Sequence, residues 1–347
     1  MSVFQHWHGA TKGFRLQWNL AIHRHCKAGA ERNQVQCHCC NGKAKKFGKF
    51  KNSNRNVQRY RCERCSKTFS ETQPLDGMRV DFKQACQVVH MLVEGMGVRA
   101  IERIIGMHRD TVLSVLEMAG QKAAAFLDAN VQNVNAGLIQ ADEIHSFVYS
   151  KQQNTDDRYI NRGEQFTFLA VDRQSKLIVS SLVGKRTREN AYAFLSDLKK
   201  RMANQFQLTT DNWQVYSGYE GAVRSVFGWE VDYATETKIF ANPVPYLPRR
   251  VTGIRRKARI GCPDMQLATT CHAERTNLSV RLFTRRFTRC TLGYSKTVEN
   301  LRHAVALFVW HFNFCRIHSA HGQTPAQEAR IAKNPMTIEE LLSATNS

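Results

Sequence analysis

The stretch TTCHAERTNLSVRLFTRR, beginning at Thr269, carries a single carboxylate in strongly basic surroundings. Between Arg249 and Arg289 the chain has eleven Lys and Arg residues and two acids, Asp264 and Glu274. A glutamate so placed has two readings. It pairs with neighbouring arginines, for roughly 0–1 kcal/mol, or it holds a cation where a polyanion arrives. Two aspartates bear on the choice: Asp142 in GLIQADEIHSFVYS and Asp211 in FQLTTDNWQVYSGYEGAV. Carboxylates brought side by side repel one another. Mg²⁺ or Mn²⁺ relieves that repulsion, and a pair of such ions can activate an attacking oxygen and steady a leaving one. Asp142, Asp211 and Glu274 are therefore candidate ligands for magnesium in phosphoryl transfer. Glu143, Glu164 and Asp172 compete for that role. Glu143 follows Asp142 in a strand and so points to the other sheet face, and Asp172 falls at a predicted turn.

A second constellation is sulfur. CHCC sets Cys37 two residues before Cys40, with Cys39 as a possible substitute, and CERC sets Cys62 two residues before Cys65. Each CxxC turn points two thiolates at one ion, and two such turns complete a tetrahedral zinc site. With all four positions filled by protein, the zinc is structural, and its binding folds a segment too small to bury a core. The chain has eleven cysteines, an odd number, and its N-terminus lacks the apolar block of an export signal. A disulfide framework is not expected, and a cytoplasmic setting is.

Several elements must position these groups. Residues 1–35 read as a basic extension and 36–72 as a zinc ribbon rich in Lys and Arg. Over 78–130 the apolar spacing is helical, with Phe82, Cys86 and Val89, then Ile101, Ile104 and Ile105, then Val112, Val115 and Leu116 predicted inward. A tight turn at Gly106 makes the last two helices a helix-turn-helix. Arg109, Thr111 and Ser114 then stand at the start of the recognition helix, placed to reach base edges of DNA. From 137 to 330 the pattern gives three strands, with a turn at RQSK, then a helix, a strand and a helix. That is the order of an RNase H-like core, in which the first strand lies beside the fourth and brings Asp142 to Asp211. Glu274 opens a later helix, sharing a face with Asn277, Leu278 and Arg281. The Pro/Arg-rich segment from about 238 to 263 shows no convincing period. The expected class is α/β: an RNase H-like mixed-sheet catalytic core preceded by a zinc ribbon and an all-α helix-turn-helix domain.

The chain has 347 residues and a formal net charge of +21. That imbalance calls for an anionic partner, nucleic acid or an acidic membrane face. No apolar run approaches the ~20 residues that cross a bilayer, and nucleic acid is the leading partner. Arg255, Arg256, Lys257 and Arg281 are candidate phosphate contacts.

With these residues in place, ADEIHSFV, TTDNWQVY, the block from His272 to His318 and QTPAQEA from Gln323 resemble the catalytic region of bacterial insertion-sequence DDE transposases, the founding IS-one family above all. The resemblance spans roughly residues 36–330 and is most specific between Glu274 and His318. Carried over residue by residue, it implies a catalytic triad of Asp142, Asp211 and Glu274. It further implies binding of terminal inverted repeats in double-stranded DNA, cleavage at the element's ends, joining of a 3′-hydroxyl to target DNA, and a homo-oligomer working on the nucleoid. The basic extension and the long Pro/Arg-rich stretch depart from the compact family pattern.

Overall fold

The computed structural model describes residues 35, 37, 40, 42–52, 55–70, 75, 78, 80–156, 158, 161–218, 221–243 and 250–344. The basic extension, apart from Val35, and Cys39 lie outside the described residues. The chain divides into two compact units, Met1–Glu71 and Thr72–Ser347.

In the first unit, β1 (Ala44–Asn52), β2 (Arg55–Cys62) and β3 (Thr68–Ser70) form an antiparallel sheet in the order β1-β2-β3. Its apolar content is slight. Tyr60 is buried and stacks near Phe69, while Phe47 and Phe50 are exposed beside the lysines of β1. A sheet with so little to bury needs another source of stability.

The second unit opens with three helices, α1 (Phe82–Val93), α2 (Val98–Ile105) and α3 (Arg109–Asn130). The Asp81 carboxylate caps α1 by accepting from the amides of Lys83 and Gln84, as an N-cap should. Gly106 takes the left-handed conformation that ends α2, and His108 then caps α3 through Nδ1. Ile101, Val112, Val115 and Leu116 are buried, whereas Ile104, expected inward, is 62% exposed. Ile101 is the buried isoleucine of α2, and Ile105, one turn beyond it, is half-buried, while Ile104 lies off that face.

The six-stranded sheet has the order β6-β5-β4-β7-β8-β9. β4 (Leu138–Val148), β5 (Gly163–Asp172) and β6 (Ile178–Gly184) form the antiparallel meander. α4 (Arg188–Arg201) then leads to β7 (Gln207–Asp211), which runs parallel to β4. Short helices α5 (Gln214–Ser217) and α6 (Ala222–Phe227) lead to β8 (Asp232–Phe240), parallel to β7. These are the strand order and senses of an RNase H-like core. The segment read as lacking a period is strand: β9 (Val251–Ile260) pairs antiparallel with β8 as a sixth, edge strand. Its residues are exposed on both faces for most of its length, so no in–out alternation marks its sequence.

α7 (Cys271–Phe283) packs against β4 and β5, and α8 (Val298–Phe314) covers β6 and lies along α3. A β-carbon on Gly120 of α3 would fall 2.6 Å from the α-carbon of His303 on α8. Glycine's cost in a helix interior, about 1 kcal/mol, is accepted there because the helices touch backbone to backbone. Buried Arg201 of α4 donates to the carbonyls of Leu127 and Val131 and so ties the end of α3 to the core. Fully buried Asn313 clips α8 to β6, exchanging two 2.9 Å hydrogen bonds with the backbone of Ile178. α9 (Pro325–Glu328) and α10 (Ile338–Ser343) follow, each with a threonine capping box. α10 packs on α1 and α3, and buried Lys122 of α3 donates to the carbonyl of Leu342 at its end. The helix-turn-helix thus shares one packed body with the sheet.

Candidate active site

Two adjacent parallel strands supply two of the acids. The β4–β7 register runs Leu138↔Gln207, Ile139↔Leu208 and Gln140↔Thr209. Two residues beyond that last pair, the strands carry Asp142 and Asp211. Every residue of β7 before Asp211 is buried, so the aspartate is the point at which the strand leaves the core. Its Oδ1 accepts from the amide of Trp213 at 3.1 Å, turning the chain into α5.

The third acid is delivered by a helix whose start is fixed from the sheet. Gln140 Oε1 accepts from the amides of His272 and Ala273, at 2.8 and 3.2 Å. These are first-turn N–H groups that have no partner within α7. Buried Glu236 on β8 accepts from the amide and the hydroxyl of Thr270, at 3.2 and 3.1 Å. The Thr270 hydroxyl also reaches Glu274 Oε1, at 2.9 Å. One turn beyond Glu274, Asn277 Nδ2 donates to Asp142 Oδ2 at 2.8 Å. Arg281, half-buried, lies near enough for its charge and that of Asp142 to act on one another.

Burial pushes the Asp142 carboxyl up to about 6. The amide of Glu143 opposes the rise, the charges of Asp211 and Glu274 add to it, and the Asn277 amide opposes it. Glu143 is pushed up to about 7, first by burial and then by Asp211. Its side chain is 4% exposed, and Arg186 bridges it to Asp211 at 3.2 and 3.1 Å. The Tyr216 hydroxyl approaches Glu143 without completing a well-aligned hydrogen bond. Arg186 also lies 4.5 Å from the Trp213 ring centroid. Glu274 is paired with Lys238, which meets both of its oxygens. The three acids thus share one field, but their oxygens are not all within 4.8 Å of one another; among the described residues only the cysteines meet that spacing.

The donor set fits a hard divalent cation. It is all oxygen, burial and the neighbouring carboxylates raise Asp142, and buried Asn277 Oδ1 has no partner among the described residues. Mg²⁺ or Mn²⁺ prefers such ligands, while Zn²⁺ prefers sulfur and nitrogen. From sequence Glu143 competes for the metal only by its place beside Asp142, read as facing the other side of the sheet; in the structure Arg186 joins it to Asp211. Arg186, Lys238, Gln140 and Glu236 were not assigned to the site from sequence and join through tertiary pairing.

The remaining candidates scatter. Asp172 ends β5 and accepts from the amide of Ser175 at 2.8 Å, and Glu164 faces His145 at 3.6 Å, so each is spent on local structure. Arg109 and Ser114 are exposed on the first turns of α3, with Thr111 half-buried between them. Arg255 and Lys257 are exposed on β9. Arg256 donates to buried Glu236 at 3.1 Å and so supports the residue that anchors α7.

In the first unit, Cys37, Cys40, Cys62 and Cys65 form a cluster with all four sulfurs within 4.8 Å of one another. Cys37 and Cys65 lie 3.6 Å apart, and Cys40 and Cys62 3.5 Å. The amide of Cys65, above all, draws the Cys62 thiol down to about 6 against burial, with the amide of Arg64 helping. Cys65 accepts from the amide of Lys67, yet burial and its neighbour thiols push it up to about 12. Four thiols so crowded cannot all ionise without a cation among them, and the four-sulfur set suits zinc. A β-carbon on Gly42 would meet Arg64 Cβ at 2.9 Å and the sulfurs of Cys40 and Cys62 at 3.3 Å.

No protein-family model and no curated protein matches the chain. Among solved structures, a chain of the simian T-cell lymphotropic virus intasome in complex with PP2A regulatory subunit B56 gamma is similar at 16% identity, covering 74% of this chain and 77% of its own, with a TM-score of 0.35. A chain of the piggyBac transposase synaptic complex with hairpin DNA is similar at 11% identity over 77% of this chain and 73% of its own, with a TM-score of 0.37. TM-scores this low do not establish a shared topology.

Proposed function

We propose that the chain is a DDE transposase that binds the terminal inverted repeats of an insertion sequence, of the IS-one kind or a near relative. On this reading it cleaves a phosphodiester at each end and joins the freed 3′-hydroxyl to target DNA, as a homo-oligomer. The observation that carries the reading is the convergence of Asp142 and Asp211, from neighbouring parallel strands, with Glu274, from a helix pinned to the same sheet by Gln140 of β4 and Glu236 of β8. The three carboxylates would hold divalent cations, which when bound supply charge neutralisation for an attacking and a leaving oxygen. The chain's own residues do the rest. Gln140 and Glu236 set the angle of α7. Asn277 orients Asp142. Arg186 and Lys238 balance the acids' charge, and Arg281 stands ready for a phosphate. Arg109, Thr111 and Ser114 would read bases, while Arg255 and Lys257 would bind the backbone. Zinc on the four cysteines would fold the ribbon.

The rival reading is a DNA-binding regulator without activity. Lys238 on Glu274 and Arg186 on Asp211 favour it, because cations already neutralise two of the three acids. Incubation of the purified chain with DNA from its gene's flanks, with and without Mg²⁺, decides between them. Mg²⁺-dependent nicking at the element's ends followed by joined products supports the transposase. Specific binding with no cleavage in Mg²⁺ or Mn²⁺ would support the regulator.

A further inference from the structure

A cavity of about 900 Å³ opens between the helix-turn-helix and the far end of α7. Its walls come from the α1–α2 turn, the first turns of α3, the segment 283–296 and α8. The turn is pressed onto α7 so closely that a β-carbon on Gly95, at φ +80°, would fall 2.5 Å from the carbonyl oxygen of Leu282. The cleft is therefore built by backbone contact.

Its chemistry is two-sided. Among the described residues Arg99, Arg103, Arg109, Arg285, Arg286 and Lys296 line it, against one carboxylate, Asp110. Beneath that charge lies an apolar floor that includes Leu92, Met96, Leu113, Phe283, Leu307 and Phe308, with Tyr294 at its edge. Two polar groups on the wall lack partners among the described residues. Thr284 is 6% exposed with its hydroxyl unpaired, and Arg286 uses Nη1 on Ser295, at 3.2 Å, while its buried Nη2 meets no acceptor. Both atoms are covered by protein, so they cost free energy within the wall and are not contacts offered to a ligand in the cleft.

We infer that this cleft holds an unpaired nucleotide of the DNA strand, its phosphate on the arginines and its base on the apolar floor. Paired duplex would engage only the charged rim, because its bases are stacked inside the helix. An extruded or single-stranded nucleotide uses both the cations and the aromatic surface, as single-strand binding sites do. The volume lies within the range of roughly 300–1,000 Å³ typical of ligand clefts. The inference rests on the DNA-processing reading and deepens it. The cleft lies between the helix proposed to read the element's end and the helix that carries Glu274, where a strand leaving the duplex would be gripped.

The test is binding by the full-length chain without divalent metal, so that catalysis plays no part. Two duplexes of one sequence are compared by anisotropy, one fully paired and one carrying a single unpaired 2-aminopurine nucleotide. The expected result is roughly tenfold tighter binding of the second, the size of one base–aromatic stacking contact, with a change in 2-aminopurine emission. Ala304 of α8 also lines the floor; Ala304→Leu, which fills it, should bring that ratio close to one and leave paired-duplex binding unchanged. Tyr294→Leu, which takes the aromatic ring from the edge of the cleft and keeps an apolar side chain there, should lower the ratio with paired-duplex binding unchanged. A parental ratio near one, with paired binding intact, would overturn the cleft and leave the DNA-processing reading standing. So would a preference that persists in both variants, or free deoxynucleoside monophosphate binding as tightly as the strand. Failure to bind either duplex would overturn both.

Discussion

Burial raises the carboxyls of Asp142 and Glu143 to about 6 and about 7. In the unfolded chain both titrate lower, near 4. The folded state therefore binds more protons between about pH 4 and pH 7, and stability falls as pH rises through that window. The metal-free protein should be steadier at pH 5 than at pH 7.5, each acid contributing on the order of 1–3 kcal/mol. Mg²⁺ should recover stability at the higher pH. Melting curves at the two pH values, for the parent and for Asp142→Asn with Glu143→Gln, check this. A parent whose pH slope matches the double variant's would contradict it. The cysteines make a second residue-scale case. Cys37→Ser with Cys62→Ser should retain no zinc and lose DNA affinity, while the melting of the second unit stays in place. Full zinc content in that variant, by elemental analysis, would remove the four-sulfur site.

At the scale of elements, the angle of α7 depends on acceptors outside it. Gln140→Leu removes the oxygen that takes the His272 and Ala273 amides. Leaving such donors buried and unmet costs about 1–3 kcal/mol. It should also depress cleavage more than binding, because α7 carries Glu274. Gln140→Glu keeps an acceptor and should restore much of the stability. Urea titrations of both variants provide the check, and a Gln140→Leu midpoint equal to the parent's would contradict it. Much of this architecture was legible in the sequence. The apolar runs of β4 and β5, the turn at 173–176, and glycines at both ends of α2 marked the elements and their order, and with them the neighbours Asp142 and Asp211. β9 was hidden because neither of its faces is buried for most of its length. Arg186, Lys238 and Glu236 were hidden because each enters the site through strand pairing and side-chain reach, which leave no mark on local spacing. Arg256 looked like its neighbours Arg255 and Lys257 until register set it opposite Glu236.

Across the whole molecule the net charge of +21 makes DNA affinity a matter of counterion release. Binding should weaken linearly in log–log form with salt. Replacing Arg255 and Lys257 by Gln should reduce the slope by about 2, near 0.9 per lost phosphate contact, and weaken all sequences alike. Arg256→Gln should chiefly lower stability, since that side chain is committed to Glu236. Arg109→Gln should chiefly erode preference for the element's end. Affinities across a salt series on specific and unrelated duplexes separate these outcomes; an equal loss of specificity from the β9 pair and from Arg109 would count against the division.

The central claim is that Asp142, Asp211 and Glu274 form one metal-dependent centre. It is tested most directly by the single-turnover rate of end cleavage and joining for Glu274→Gln on pre-bound DNA in Mg²⁺. That change keeps the shape of the side chain and removes one ligand charge. The predicted result is end-binding equal to or slightly tighter than the parent's, with the rate down by about a thousandfold or more. Adding Asp142→Asn should bring little further loss, because one missing ligand already disables the centre. A Glu274→Gln protein that joins DNA ends within a few-fold of the parental rate would show that this glutamate only pairs with neighbouring cations, and would contradict the account.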